Sequence, residues 1–154
     1  MTMRKDASDL RVEGGRFYYA YPFDKDRQTI DCRSTEDGFL IWTMTKLPKA
    51  VCNLDEDRHT LYLDDGKFRS DEPISAVIQS GSIFVLLFRD TRISSAPSQI
   101  RCITGKGTVC WERPSNYYNI WPIADSALVG ASSGSTQYQL RAENGEEVTA
   151  AQAR

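Results

Sequence analysis

The chain has 154 residues, 40% of them hydrophobic and 26% charged, with a formal net charge of -2. That length suffices for one domain with its own core and no obligatory disulfide or metal, and the slightly acidic balance leaves no electrostatic footprint for nucleic acid or anionic lipid. The longest apolar stretch, Ile83 to Phe88, is too short to span a bilayer, so no membrane insertion is expected.

At the N-terminus, MTMRKDASDL places Arg4 and Lys5 ahead of no apolar run. It is no signal peptide as it stands, which leaves a cytoplasmic protein or a periplasmic one whose leader has been removed. Residues 1–9 and 151–154 are expected to be flexible ends of a single all-β domain over 10–150. The first hairpin is VEGGRFYYAYPF from Val12, where Phe17, Tyr19 and Tyr21 share one strand face and Tyr18 takes the other. Next comes IDCRSTEDGFLIW, Ile30 to Trp42, with a turn at Asp37 and Gly38. Ala50 to Arg69 supplies a further strand, turn and strand, turning at Asp64, Asp65 and Gly66. IQSGSIFVLLFRD from Ile78 and IRCITGKGTVCW from Ile100 repeat the first two hairpins, and IADSALVGASS from Ile123 and YQLRAENGEEV from Tyr138 repeat them again without the tryptophan. The unit is two hairpins in series, giving blocks of about 10–45, 50–69, 73–114 and 115–150. No segment has a convincing helical period.

Hairpins built as strand, Gly turn and strand ending in Trp resemble the blades of quinoprotein-type β-propellers, through Asp37, Gly38 and Trp42, through Gly105, Gly107 and Trp111, and through Asn144 and Gly145. The resemblance implies an all-β fold of three to four blade-like antiparallel sheets. That is too few units for an ordinary closed ring, so a partial or open β-propeller-like arrangement is expected.

With the units aligned, Val12 to Cys32 is 20 residues, Ile78 to Cys102 is 24 and Ile123 to Leu140 is 17. The third unit is the longest, and the excess falls in RDTRISSAPSQ, Arg89 to Gln99. A long polar loop on a rigid scaffold is where binding residues concentrate, which makes Arg89, Asp90, Thr91, Arg92, Ile93, Ser94, Ser95 and Ser98 candidates for contact with a partner. The alternative is a longer surface connection and no more. SNYYNIW, Ser115 to Trp121, adds Asn116, Tyr117 and Tyr118 as candidate contact residues, against the reading that these aromatics simply pack between sheets.

Four cysteines, Cys32, Cys52, Cys102 and Cys110, lack the paired spacing of a zinc or redox site. A turn at Thr104 to Gly107 would set Cys102 directly opposite Cys110, within reach of a disulfide; the other reading is four small buried hydrophobes. The single histidine, His59, has no nucleophile elbow near it and is expected in a solvated turn. Asp55, Glu56 and Asp57 fail the calcium-loop pattern because Arg58 follows them where glycine is required. Gly105 to Gly107 has no following helix to hold phosphate. No metal or cofactor is expected, and no catalytic set is evident.

A small β scaffold with one enlarged loop reads as a binding protein. In size, blade-like organisation, even cysteine count and the serine-containing loop Arg89 to Gln99, the chain resembles the periplasmic immunity proteins that protect bacteria from type VI secreted peptidoglycan amidases. The resemblance implies a cognate amidase as partner, a loop that plugs its cleft, and Ser94 or Ser95 against its Cys-His dyad. The alternative is a carbohydrate-binding or carbohydrate-active β module using the Tyr117 to Trp121 aromatics.

Overall fold

The computed structural model describes residues 9–13, 15–21, 28–47, 52–54, 58–63, 66–90, 97–123 and 126–148. Among them every regular element is a strand. Unit one contains β1 (Asp9–Glu13), β2 (Arg16–Ala20), β3 (Gln28–Ser34) and β4 (Leu40–Lys46), and unit two contains β5 (Cys52–Leu54), β6 (Thr60–Leu63) and β7 (Gly66–Arg69). Unit three is β8 (Ile74–Ser80), β9 (Ile83–Phe88), β10 (Ser98–Thr104) and β11 (Val109–Ser115); unit four is β12 (Asn119–Pro122), β13 (Leu128–Ser133) and β14 (Thr136–Arg141). Each unit is an antiparallel meander, and the array is open rather than closed into a ring. Asp9 already pairs with Ala20, while the rest of the expected flexible ends lie outside the described residues, as do the acids at 55–57 and the turn acids at 64–65.

The repeat is visible down to single hydrogen bonds. In unit one the Ser34 amide donates to Phe39 O and the Gly38 amide to Ser34 O; in unit four the Arg141 amide donates to Glu146 O and the Gly145 amide to Arg141 O. Asp37 Oδ1 accepts from the Phe39 amide, and Asn144 Oδ1 accepts from the Glu146 amide, each at 2.9 Å. Both glycines are left-handed, at φ 74° and 75°, a conformation other residues resist. Unit three has a shorter turn, in which the Thr104 amide donates to Thr108 O and Gly107 is left-handed at φ 91°. Units one and three also share a β-bulge at the same repeat position, so that Cys32 opposes Trp42 and Cys102 opposes Trp111.

Units one and three are fused through β4 and β8, which run parallel, into one eight-stranded sheet. Unit two packs on one face of it and unit four on the other. Period-two alternation then divides the apolar run of β9: Phe84, Leu86 and Phe88 point into a core with Leu61, Leu63 and Phe68 of unit two, while Val85 and Leu87 point into a core with Ile120, Val129, Ala131 and Leu140 of unit four. This two-sided burial is why Ile83 to Phe88 reads as continuous apolar sequence instead of alternating. On unit one, Tyr18 packs on Trp42, and Phe17, Tyr19 and Tyr21 form a ring ladder on the opposite face with centroids 5.3 and 6.3 Å apart, the division the alternation implies.

Candidate functional site

The long connection leaves β9 and enters β10, two of the most buried strands, so its ends are held by the core. The Arg89 amide donates to Pro73 O at 3.0 Å, and the Arg89 guanidinium lies over the Tyr118 ring, 4.6 Å from its centroid. Tyr118 is 46% exposed and is fixed by its own amide, which donates to Ser132 O at 2.7 Å. Arg89, Asp90, Pro97, Ser98 and Gln99 line a hollow of about 380 Å³ together with Glu72, Pro73, Phe88 and Pro114. The structure thus brings the two ends of the loop together with one aromatic from a different unit. Thr91, Arg92, Ile93, Ser94 and Ser95 lie outside the described residues.

Two expected contact residues belong to the interior instead. Tyr117 is 1% exposed: it precedes β12 and turns into the unit-four core against Tyr138, ring centroids 5.5 Å apart. Its hydroxyl donates to Glu147 Oε1 at 2.5 Å and accepts from Arg113 Nη2 at 2.8 Å. Burial, and then the Glu147 carboxylate, push the phenol up to about 12. Ser98 is likewise buried, its hydroxyl 2.6 Å from that of Ser115, a clasp that closes the loop base where β10 meets β11. Strand parity does not govern Tyr117, which sits in the link between units, so the SNYYNIW motif alone could not tell which aromatic faces in. Asn116 and Tyr118 are both exposed.

The shared bulge also corrects the expected cysteine register. Cys102 opposes Trp111 rather than Cys110, because the bulge leaves Cys110 as the extra residue on β11. Cys102 is buried and Cys110 exposed, and both thiols are free. They still neighbour one another: burial, and after it the Cys110 thiol, push Cys102 up to about 12. Burial also raises Cys32, against the opposing pull of Arg16. His59 is half-buried with Nδ1 2.9 Å from Ser70 O, a turn contact, rather than fully solvated. Among the described residues no group of three acids, histidines or cysteines is placed to hold a metal ion.

A second, larger hollow of about 750 Å³ lies on the outer face of unit four, lined in part by Trp121, Gln137, Gln139 and Glu147. Of these, Trp121 alone stood in an aromatic motif; the others are scattered polar residues whose convergence depends on register.

No family model and no curated protein matches the chain. BamB from Moraxella catarrhalis is a structural neighbour. Its crystal structure superposes with a TM-score of 0.40 at 11% identity, covering 88% of this chain and 34% of its own. The chain spans about a third of that structure, and a likeness at this level fixes neither fold nor function; the all-β, blade-like architecture rests on the sheets themselves.

Proposed function

We propose that this domain is a protein-binding inhibitor, an immunity protein that occludes the active site of a secreted peptidoglycan amidase with the β9–β10 connection and catalyses nothing itself. The observation that carries the reading is the stack of Arg89 on exposed Tyr118 at the mouth of a connection that leaves the buried strand β9 and enters β10. Arginine and tyrosine are the residue types that dominate interface energies, and a base held by the Ser98–Ser115 clasp lowers the ordering cost of presenting a loop. In the resemblance to amidase immunity proteins, Ser94 or Ser95 meets the catalytic dyad. A serine hydroxyl both donates to and accepts from an imidazole without offering a cleavable bond. The reading places the chain in the periplasm, where an oxidising environment would join the neighbouring Cys102 and Cys110 thiols.

The test is capture from a periplasmic fraction, identification of the partner by mass spectrometry, and inhibition of its muropeptide hydrolysis. Arg89→Ala and Tyr118→Ala are each expected to weaken binding about tenfold or more, and bulky replacements at Ser94 or Ser95 to abolish inhibition. If the cognate amidase is bound and inhibited equally well by all of these variants, the loop is not the inhibitory element.

A further inference from the structure

The hollow on the outer face of unit four is built, not incidental. Trp121, Gly130 and Gln139 are opposed in one row across β12, β13 and β14, and Asn119, Ser132 and Gln137 form the next row on the same face. The Trp121 indole lies flat over Gly130: a Cβ there would fall 2.1 Å from Trp121 Nε1 and 2.2 Å from Cε2. Any side chain larger than hydrogen at position 130 would lift the ring, so this glycine seats the tryptophan as a platform, one face on the sheet and the other toward the hollow. Around the platform stand the exposed amides of Gln137 and Gln139, with Leu128 as an apolar floor residue.

At the rim stands the Glu147 carboxylate, and its position is set from within. Arg113 Nη2 donates to the Tyr117 hydroxyl, and that hydroxyl donates to Glu147 Oε1. Arg113 is in turn held by two bonds to Gly145 O, 3.3 Å from Nε and 3.0 Å from Nη2. Half-buried Arg113 and buried Tyr117 thus fix the Glu147 carboxylate beside the hollow.

The geometry points to a binding site for a short neutral glycan of one or two sugar rings. A pyranose has an apolar C–H face and a hydroxyl edge. An aromatic face attracts polarised C–H groups through its quadrupole, while two amides and a carboxylate suit hydroxyls that donate and accept. A volume of about 750 Å³ lies in the range of small-ligand sites. The lining residues Trp121, Gln137, Gln139 and Glu147 carry one negative charge and no positive one, which disfavours phosphorylated or carboxylated ligands. Its lining shares no residue with the hollow at the loop base, and the proposal does not depend on an inhibitory role.

The test is isothermal titration of the whole protein with chitotetraose, cellotetraose and a neutral tetrapeptide. Saturable binding of at least one oligosaccharide is expected, weakened about tenfold by Trp121→Ala and several-fold by Gln139→Ala. Gly130→Ala should weaken it as Trp121→Ala does, with circular dichroism unchanged for the outer-face variant Gln139→Ala as the check on folding. Absence of saturable oligosaccharide binding, binding unaltered in both Trp121→Ala and Gln139→Ala, or binding of the tetrapeptide alone overturns the proposal. Failure here leaves amidase inhibition by the β9–β10 connection untouched, and Gln139→Ala is expected to inhibit normally.

Discussion

Gly145→Ala and Gly38→Ala place the same methyl group in two superimposable turns with different surroundings. Both residues are left-handed, so each variant carries the cost of an L side chain in that conformation, about 1 to 2 kcal/mol. At Gly38 nothing lies within 4 Å of the new Cβ and the cost ends there. At Gly145 the Cβ would fall 2.6 Å from Trp111 Cζ3 and 2.8 Å from Cε3 and Cη2, so the indole must retreat by about 1 Å to reach ordinary contact. That movement strains the bond from Trp111 Nε1 to Ala142 O, 2.9 Å, and disturbs the Arg113 bonds to Gly145 O. Adding about 1 kcal/mol for a weakened hydrogen bond and about 1 to 2 for overpacking brings Gly145→Ala to about 4 kcal/mol. For a domain of this size that is a fall in Tm of about 8 to 16 °C, against about 2 to 8 °C for Gly38→Ala. Paired thermal melts decide it, with Trp111→Ala completing a double-mutant cycle that should show strong coupling to Gly145→Ala and none to Gly38→Ala. Equal shifts for the two glycine variants would show that the indole does not hold the turn.

Three further outcomes follow from burial and charge. In a Cys52→Ser background kept reduced, an aromatic disulfide reagent should titrate Cys110 quickly in the native protein and reach Cys32 and Cys102 only on unfolding, so three fast thiols would contradict the packing. Because the Tyr117 phenol is raised from 10.0 to about 12 in the fold, stability should be level in this respect below about pH 10 and decline as pH rises from there to about 12, where the unfolded chain releases a proton the folded one keeps. Tyr117→Phe should flatten part of that alkaline decline in urea midpoints, and an unchanged slope would argue against the buried phenol. Leu86→Ala and Leu87→Ala face opposite cores and should each cost about 2 to 5 kcal/mol in denaturant unfolding; a mild effect at either one would mean that its core is not packed.

The two-hairpin unit was legible because each copy carries its own punctuation. Asp37 with Gly38 and Asn144 with Gly145 encode the same turn, and the alternation in Phe17, Tyr18 and Tyr19 assigns faces without any tertiary knowledge. The fusion of β4 with β8 was not legible. A repeat period describes what each unit is, whereas the choice of neighbour depends on which apolar edges remain uncovered once the units pack. The candidate site divided along the same line. Arg89 and Tyr118 are far apart in sequence and meet only through the docking of unit four on unit three. Tyr117 and Ser98 turned inward at links and strand ends, where no periodicity dictates direction. The bulge that separated Cys110 from Cys102 recurs in unit one, whose turn is one residue longer, so the turn length visible in sequence does not by itself set the register.

The parallel contact of Thr43, Met44 and Thr45 with Ala76, Val77 and Ile78 has a consequence for how the chain reaches its native state. In a stacked array each unit can close on the one already formed, and assembly proceeds like a zipper from either end. Here unit one must wait for unit three, with the intervening chain that carries unit two closed into a loop before β5 to β7 pack on one face of the joined sheet. Closing that loop before any of its contacts form is an entropic toll on the rate. The central sheet therefore forms as one cooperative event that a fragment lacking unit three cannot enter, and shortening the segment between β4 and β8 should change the folding rate more than the unfolding rate.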